Sequence, residues 1–120
     1  MTVLDASAVL AYLQGERGGK IVEQHLDSGV IGAANLAEVL GRMTGPAEAG
    51  MAEALLAARG VRVEPVMSED ARAAARLREA RADLSLGDRL CLALASRRGE
   101  DALTADRAWG SGPGIVQIRG

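Results

Sequence analysis

Four carboxylates in this chain stand at the ends of apolar runs or inside them. Asp5 closes TVLD, Asp106 follows DALTA (101–105), Glu38 sits inside LAEVL, and Asp88 opens SLGDRLCLALA (85–95). Gathered together, such groups repel. At an effective dielectric near 20, one pair about 4 Å apart costs roughly 4 kcal/mol. Protonation, arginine partners or metal ions can offset that repulsion. With oxygen donors alone and no candidate set of Cys and His ligands, the suitable ions are hard ones, Mg²⁺ or Mn²⁺. Ions held by carboxylates fit hydrolysis of a phosphodiester, because they lower the pKa of a bound water and stabilise the attacking and leaving oxygens. Ser7 and Thr104 lie two residues from an acid, in D-A-S and T-A-D. Either hydroxyl can orient an acid or a metal-held water.

The surrounding pattern says how these acids could meet. TVLD (2–5) reads as a short buried strand. Ser7 can cap a helix to about Leu13, with Val9 and Leu13 on one face. GERGG (15–19) is a turn, 20–28 a second short helix, and GVIG (29–32) a second buried strand. Asn35 can cap a helix through Met43. Pro46 suits the start of the next helix, which reaches about Arg59 with Met51, Leu55 and Ala58 as its apolar spacing. VRVEPV (61–66) is a third strand. Ser68, Glu69 and Asp70 open a helix to about Asp83, whose apolar stripe is Ala73, Leu77, Ala80 and Leu84. The helix of LCLALA is apolar all round and is expected to be buried on more than one side. DALTA is a fourth strand, RAWG a short helical turn, and IVQI (115–118) a final strand.

Short strands alternating with longer helices imply an α/β fold, a mostly parallel sheet with helices on both faces. Such sheets bind ligands beyond the carboxyl ends of their strands. Asp5 and Asp106 are therefore expected at one edge. Glu38 and Asp88 join them if the N-terminal halves of their helices face the same way. Asp88 is the least determined, because its helix precedes a strand instead of following one. Capping competes with each site role. Asp88 completes S-x-x-D with Ser85, a capping-box pattern; Asp5 and Ser7 can cap the first helix, and Asp106 a turn. Glu38 needs only one solvated face, and Asn35 reads as a cap more readily than as a ligand. Arg42, Arg89 and Arg107 lie near the expected acidic edge and can contact phosphates, or equally make surface ion pairs. His25 stands alone and Glu64 reads as a solvent-side residue on an edge strand.

Bulk properties narrow the classes. The 120 residues suit a single domain. The chain is 48% hydrophobic but has no Phe, one Trp and one Tyr, so a core must come from Leu, Val, Ile and Ala. Base stacking on aromatic side chains is excluded as a main binding mode. A net charge of −2 is unlike that of a strongly basic nucleic-acid binder. The basic residues are nevertheless almost all Arg, the better partner for phosphate. Cys91, the only cysteine, cannot form an intramolecular disulfide and reads as a small buried hydrophobe. Without a basic leader or a long apolar run, the chain reads as a cytoplasmic protein with no membrane partner.

The motifs VLDASAVLAYL, ANLAEVLGRM, LSLGDRLCLALA and LTADRAW, in this order and spacing, resemble those of the PIN-domain ribonucleases, in particular the short VapC-type toxins of toxin–antitoxin systems. With the final strand, the resemblance spans nearly the whole chain. It implies a PIN-like three-layer sandwich in which Asp5, Glu38, Asp88 and Asp106 gather around Mg²⁺ or Mn²⁺, with Ser7 and Thr104 at polar positions near the metal. It also implies cleavage of structured RNA such as tRNA or rRNA, a homodimer, and a VapB-like antitoxin partner. The short, Ala-rich stretch between Gly41 and Gly60 departs from the family and implies a reduced helical arm there.

Two readings follow. The first is a metal-dependent endoribonuclease toxin. The second is a non-catalytic PIN-like module that keeps the acids only to dock a basic partner peptide. A receiver or haloacid-dehalogenase-like phosphotransfer domain fits worse. Such folds need a lysine near the phosphate, and the one lysine, Lys20, follows a glycine-rich turn.

Overall fold

A computed structural model describes residues 1–120. In chain order the elements are β1 (Thr2–Leu4), α1 (Ala6–Leu13), α2 (Gly19–Glu23), β2 (Gly29–Gly32), α3 (Ala33–Gly41), α4 (Gly45–Ala58), β3 (Arg62–Glu64), α5 (Ser68–Ala80), α6 (Leu86–Arg98), β4 (Ala102–Thr104), a 3₁₀ turn (Arg107–Trp109) and β5 (Ile115–Gln117). The five strands form one sheet in the order β3-β2-β1-β4-β5, and every pairing is parallel. This is the α/β sandwich expected from the strand–helix alternation.

The sheet is covered on both faces, which is why its strands read as unbroken apolar runs. Neighbouring side chains alternate between the faces. Leu4, Ile31 and Leu103 enter one core with Val9, Val22, Leu26, Val39 and Leu56 from the helices. Val3, Val30 and Ala102 enter the other, with Cys91, Leu94, Ala95 and Trp109. Helix α6 supplies much of that second core and also packs on α5 and α3, so LCLALA is buried on more than one side. No helix is long and apolar enough to cross a membrane.

Several elements depart from the pattern-based expectation. Helix α1 begins at Ala6 with Asp5 at its N-cap position, and α3 begins at Ala33 after Gly32, so neither Ser7 nor Asn35 is a helix cap. Helix α2 stops at Glu23 instead of running to 28; the following turns still bury Leu26 and deliver the chain to β2. In α4 the buried pair is Ala52 and Leu56, while Met51 and Leu55 are 73% and 42% exposed. Alanine on most sides of this helix gives no distinct stripe, so packing against α3 selects Leu56 over its neighbour. Strand β3 covers 62–64 only. Helix α5 ends at Ala80, with Asp70 and Ala74 buried most deeply, while Ala80 is exposed. Glu64 is not simply solvent-facing, because it pairs with Arg98 at 3.1 Å.

The buried Asp70 fixes how α5 lies on α6. Its carboxylate accepts the Met67 N–H at the helix start, and it takes both Nε and Nη2 of Arg97 at 2.8 and 3.1 Å. Farther along the pair, Arg89 Nη1 donates to the Ala74 carbonyl. Thus the start of α5 meets the end of α6, an antiparallel hairpin that sets where α6 begins. Despite the cost of burial, the hydrogen bonds and charge of Arg97 hold the Asp70 carboxyl below its ordinary value of 3.8. A lowered native pKa stabilises the fold above the ordinary value, and that contribution is lost as pH falls through the native one. Asp70→Asn should therefore destabilise the protein by about 2 kcal/mol at pH 7. In urea denaturation its gap from wild type should narrow once the pH falls below the ordinary aspartate range.

Candidate functional site

β1 is the central strand, and Asp5 leaves its carboxyl end into a region covered by both neighbours. The residue is 2% exposed. Its Oδ2 accepts the Ser7 hydroxyl at 2.6 Å and the Thr104 hydroxyl at 2.9 Å. Those hydroxyls are themselves fixed: Ser7 Oγ accepts the Ala105 N–H and Thr104 Oγ1 accepts the Asp106 N–H. Thr104 ends β4, the strand paired to β1, so the sheet itself sets this network. Neither Asp5 nor Ser7 caps α1 through its side chain.

Asp5, Ser7, Glu38, Asp88 and Asp106 line one open cleft of about 460 Å³ at this edge of the sheet, with Arg42 as its only basic side chain. Asp88 arrives because α6 leads into β4. A helix entering a parallel strand ends at the sheet's amino edge, so its N-terminus lies at the carboxyl edge. There Asp88 completes a reciprocal capping box: its Oδ2 accepts the Ser85 N–H at 3.0 Å, and Ser85 Oγ accepts the Asp88 N–H at 3.1 Å. Asp106 Oδ1 accepts the Ala108 N–H at 2.9 Å and caps the 3₁₀ turn. Glu38 Oε1 accepts Asn35 Nδ2 at 3.0 Å.

A common pattern results. In each of the four carboxylates the protein's hydrogen bonds go to one oxygen and leave the other without a donor. None of the four is in an ion pair, although Glu16, Glu23, Glu64, Asp70, Asp83 and Glu100 each have an arginine. Capping and presentation therefore coexist at Asp88 and Asp106. No three of the acids converge into a preassembled cage. The donor set fits Mg²⁺ or Mn²⁺ nonetheless: it is all oxygen, its free oxygens share one cleft, and Mg²⁺ is commonly held by one or two carboxylates while keeping several waters.

The other expected residues separate. Thr104 is fully buried behind Asp5, and Asn35 lies beneath Glu38 at 1% exposure. Arg89 turns to the Ala74 carbonyl, and Arg107 borders a separate hollow with Gly110 and Gln117. Burial pushes the Cys91 thiol well up, with the charges of Asp5, Asp88 and Glu38 adding to the rise, so it stays a protonated core side chain. Sequence reasoning missed Gly87, whose backbone carbonyl accepts Asn35 Nδ2 at 3.1 Å. A glycine in the first turn of a helix, where alanine would serve better, was the available signal.

Residues 2–111 match the family model for the PIN domain. The chain belongs to the PIN domain family. Solved structures share its fold at low identity. A chain of a toxin–antitoxin complex from Klebsiella pneumoniae is 18% identical, with a TM-score of 0.84 over 98% of both chains. A DNA-bound VapBC complex from Salmonella typhimurium gives 16% identity and a TM-score of 0.74 over 98% of this chain and 97% of that one. A Mycobacterium tuberculosis VapC toxin that cleaves the sarcin-ricin loop gives 20% and 0.71 over 93% and 97%. No curated protein sequence matches the chain.

Burial pushes the Asp5 carboxyl up from 3.8 to about 6, against the opposing hydrogen bonds of Ser7 and Thr104 and with the Asp88 charge adding to the rise. A native pKa above the unfolded one means that ionisation favours the unfolded chain. Stability is full below the unfolded value and is lost as pH rises through the native value. Without divalent ions, Asp5→Asn should therefore stabilise the protein at pH 7.5, by up to about 3 kcal/mol. Chemical denaturation with a chelator should show that gain vanishing near pH 4.

Proposed function

We propose that this PIN-domain chain is a metal-dependent endoribonuclease toxin that hydrolyses phosphodiester bonds of structured RNA such as tRNA or rRNA. The observation that carries the reading is the cleft itself: four carboxylates without ion-pair partners, each with one oxygen fixed by the protein and one without a donor. Where a buried acid outside the cleft serves the fold, an arginine neutralises it, as Arg97 does for Asp70.

Asp5, Glu38, Asp88 and Asp106 are the residues that would hold Mg²⁺ or Mn²⁺. When bound, the ion supplies charge to activate water and to stabilise the oxygens between which phosphorus is exchanged. Hydrolysis adds water across one P–O bond. The protein's part is orientation: Ser7 and Thr104 aim Asp5, the Ser85 cap aims Asp88, and Asn35 holds Glu38. Burial makes Asp5 resist ionisation, and a cation beside it would stabilise the carboxylate and displace its proton. Arg42 is the cleft's candidate for a backbone phosphate, while Arg89 and Arg107 lie off it. A VapB-like antitoxin would neutralise the enzyme by presenting a basic side chain to the acids, and we propose that the active form is a homodimer.

Asp5→Asn should abolish RNA cleavage while the protein stays folded. Asp88→Asn should lose most activity at little cost in stability, since an amide oxygen can still accept the Ser85 N–H. RNA-end sequencing after controlled expression, with Asp5→Asn as control, identifies the substrate and its cleavage position. Wild-type cleavage by the Asp5 variant removes Asp5 from the site. Absence of any acid-dependent Mn²⁺ binding in calorimetry would favour the non-catalytic module that docks a basic peptide.

A further inference from the structure

Gly87 is the second residue of α6, and its backbone is compatible with a side chain: its φ is not positive. The space is not. A Cβ at this position would lie 2.5 Å from Glu38 Oε1, 2.8 Å from its Cδ and 2.9 Å from Oε2. The Glu38 carboxylate is thus laid directly against the first turn of α6, although Glu38 belongs to the exposed side of α3. Asn35 bridges the two elements. Its Nδ2 donates to Glu38 Oε1 and to the Gly87 carbonyl at 3.0 and 3.1 Å. Both partners are acceptors, so only the amide nitrogen can face them. An exposed glutamate normally keeps much of its rotamer freedom. This one has a bound oxygen on one side and a helix backbone on the other.

We infer that Asn35 and Gly87 are positioning residues that register the Glu38 carboxylate against the turn of α6 carrying Asp88. The inference rests on the metal-dependent reading above and deepens it. Glu38 and Asp88 come from different helices, α3 and α6, that pack on each other. The Asn35–Gly87 link makes their separation a property of the α3–α6 contact, independent of Glu38's own rotamers. The missing side chain at position 87 is what permits the approach. A methyl group there would displace the carboxylate, and the displacement needs only a flexible side chain to move, so the fold would tolerate it.

The test is Gly87→Ala. Alanine is the better helix former, so a merely structural role predicts an unchanged or higher melting temperature and nothing more. The positioning role predicts that same melting temperature together with Mn²⁺ affinity weakened about 10- to 100-fold by calorimetry. It also predicts a displaced Asn35 side-chain amide signal in the ¹⁵N NMR spectrum of the metal-free protein. Adding Glu38→Asp to Gly87→Ala, which shortens the carboxylate by the space the methyl takes, should regain part of the lost affinity. Wild-type Mn²⁺ affinity in Gly87→Ala, or an unmoved Asn35 amide, overturns the inference. Should wild type bind no Mn²⁺ at all, the metal-dependent reading falls, and the Asn35 amide alone decides the positioning.

Discussion

The structure turns on a carboxylate placed where solvent barely reaches. Asp5 ends the middle strand of an all-parallel sheet, with a neighbour strand on either side and helices over both faces. Two hydroxyls hold it, yet they do not outweigh desolvation, and the acid remains hard to ionise. Everything nearby is organised around that one group. Thr104 comes from the adjacent strand, Ser7 from the helix that Asp5 itself begins, and each hydroxyl is fixed in turn by a backbone N–H of the β4 exit. The fold invests stability in holding a group that it disfavours in its charged form. A preorganised ion-binding site needs such support from the residues around its ligands.

The sheet's polarity explains why the remaining acids join Asp5. All five strands point one way, so the helices that leave them and the helix that feeds β4 have their chain reversals at common edges. Helix α5 is inserted between β3 and α6. It runs antiparallel to α6, pinned by the Asp70–Arg97 pair at one end, and so returns the chain to the carboxyl edge before α6 begins. Had β3 led directly into a helix followed by β4, the acid would still lie at this edge. The hairpin adds an extra layer against α6 and buries that helix on a further side.

Much of this can be read from the chain itself. The apolar runs announce a parallel sheet, and the acids at their ends announce a common edge. Asp88 looked the least determined, because its helix precedes a strand; the direction of a parallel sheet resolves that, since such a helix must start at the carboxyl edge. Other features depend on tertiary contact. Nothing local distinguishes Leu56 from Leu55 in a helix made mostly of alanine. Asn35 has the composition of a cap, but the chain enters α3 two residues earlier, and its amide is used between helices. Arg89 sits one residue from Asp88, and a helix places adjacent residues about 100° apart, so it faces α5 and not the cleft. Asp70 looked like a helix-start acid and is one. Its pairing with Arg97 is invisible without the hairpin.

The Thr104–Asp5 hydrogen bond joins residues 99 positions apart. Ser7 likewise depends on the backbone of residue 105, 98 positions away. Such distant partners carry a loop-closure cost in entropy. During synthesis Asp5 emerges well before the strand that aims it. Residues 1–100 already contain Asp5, Glu38 and Asp88 and still lack the strand that orients the first of them. The aim of Asp5 at this cleft therefore exists only once β4 lies beside β1.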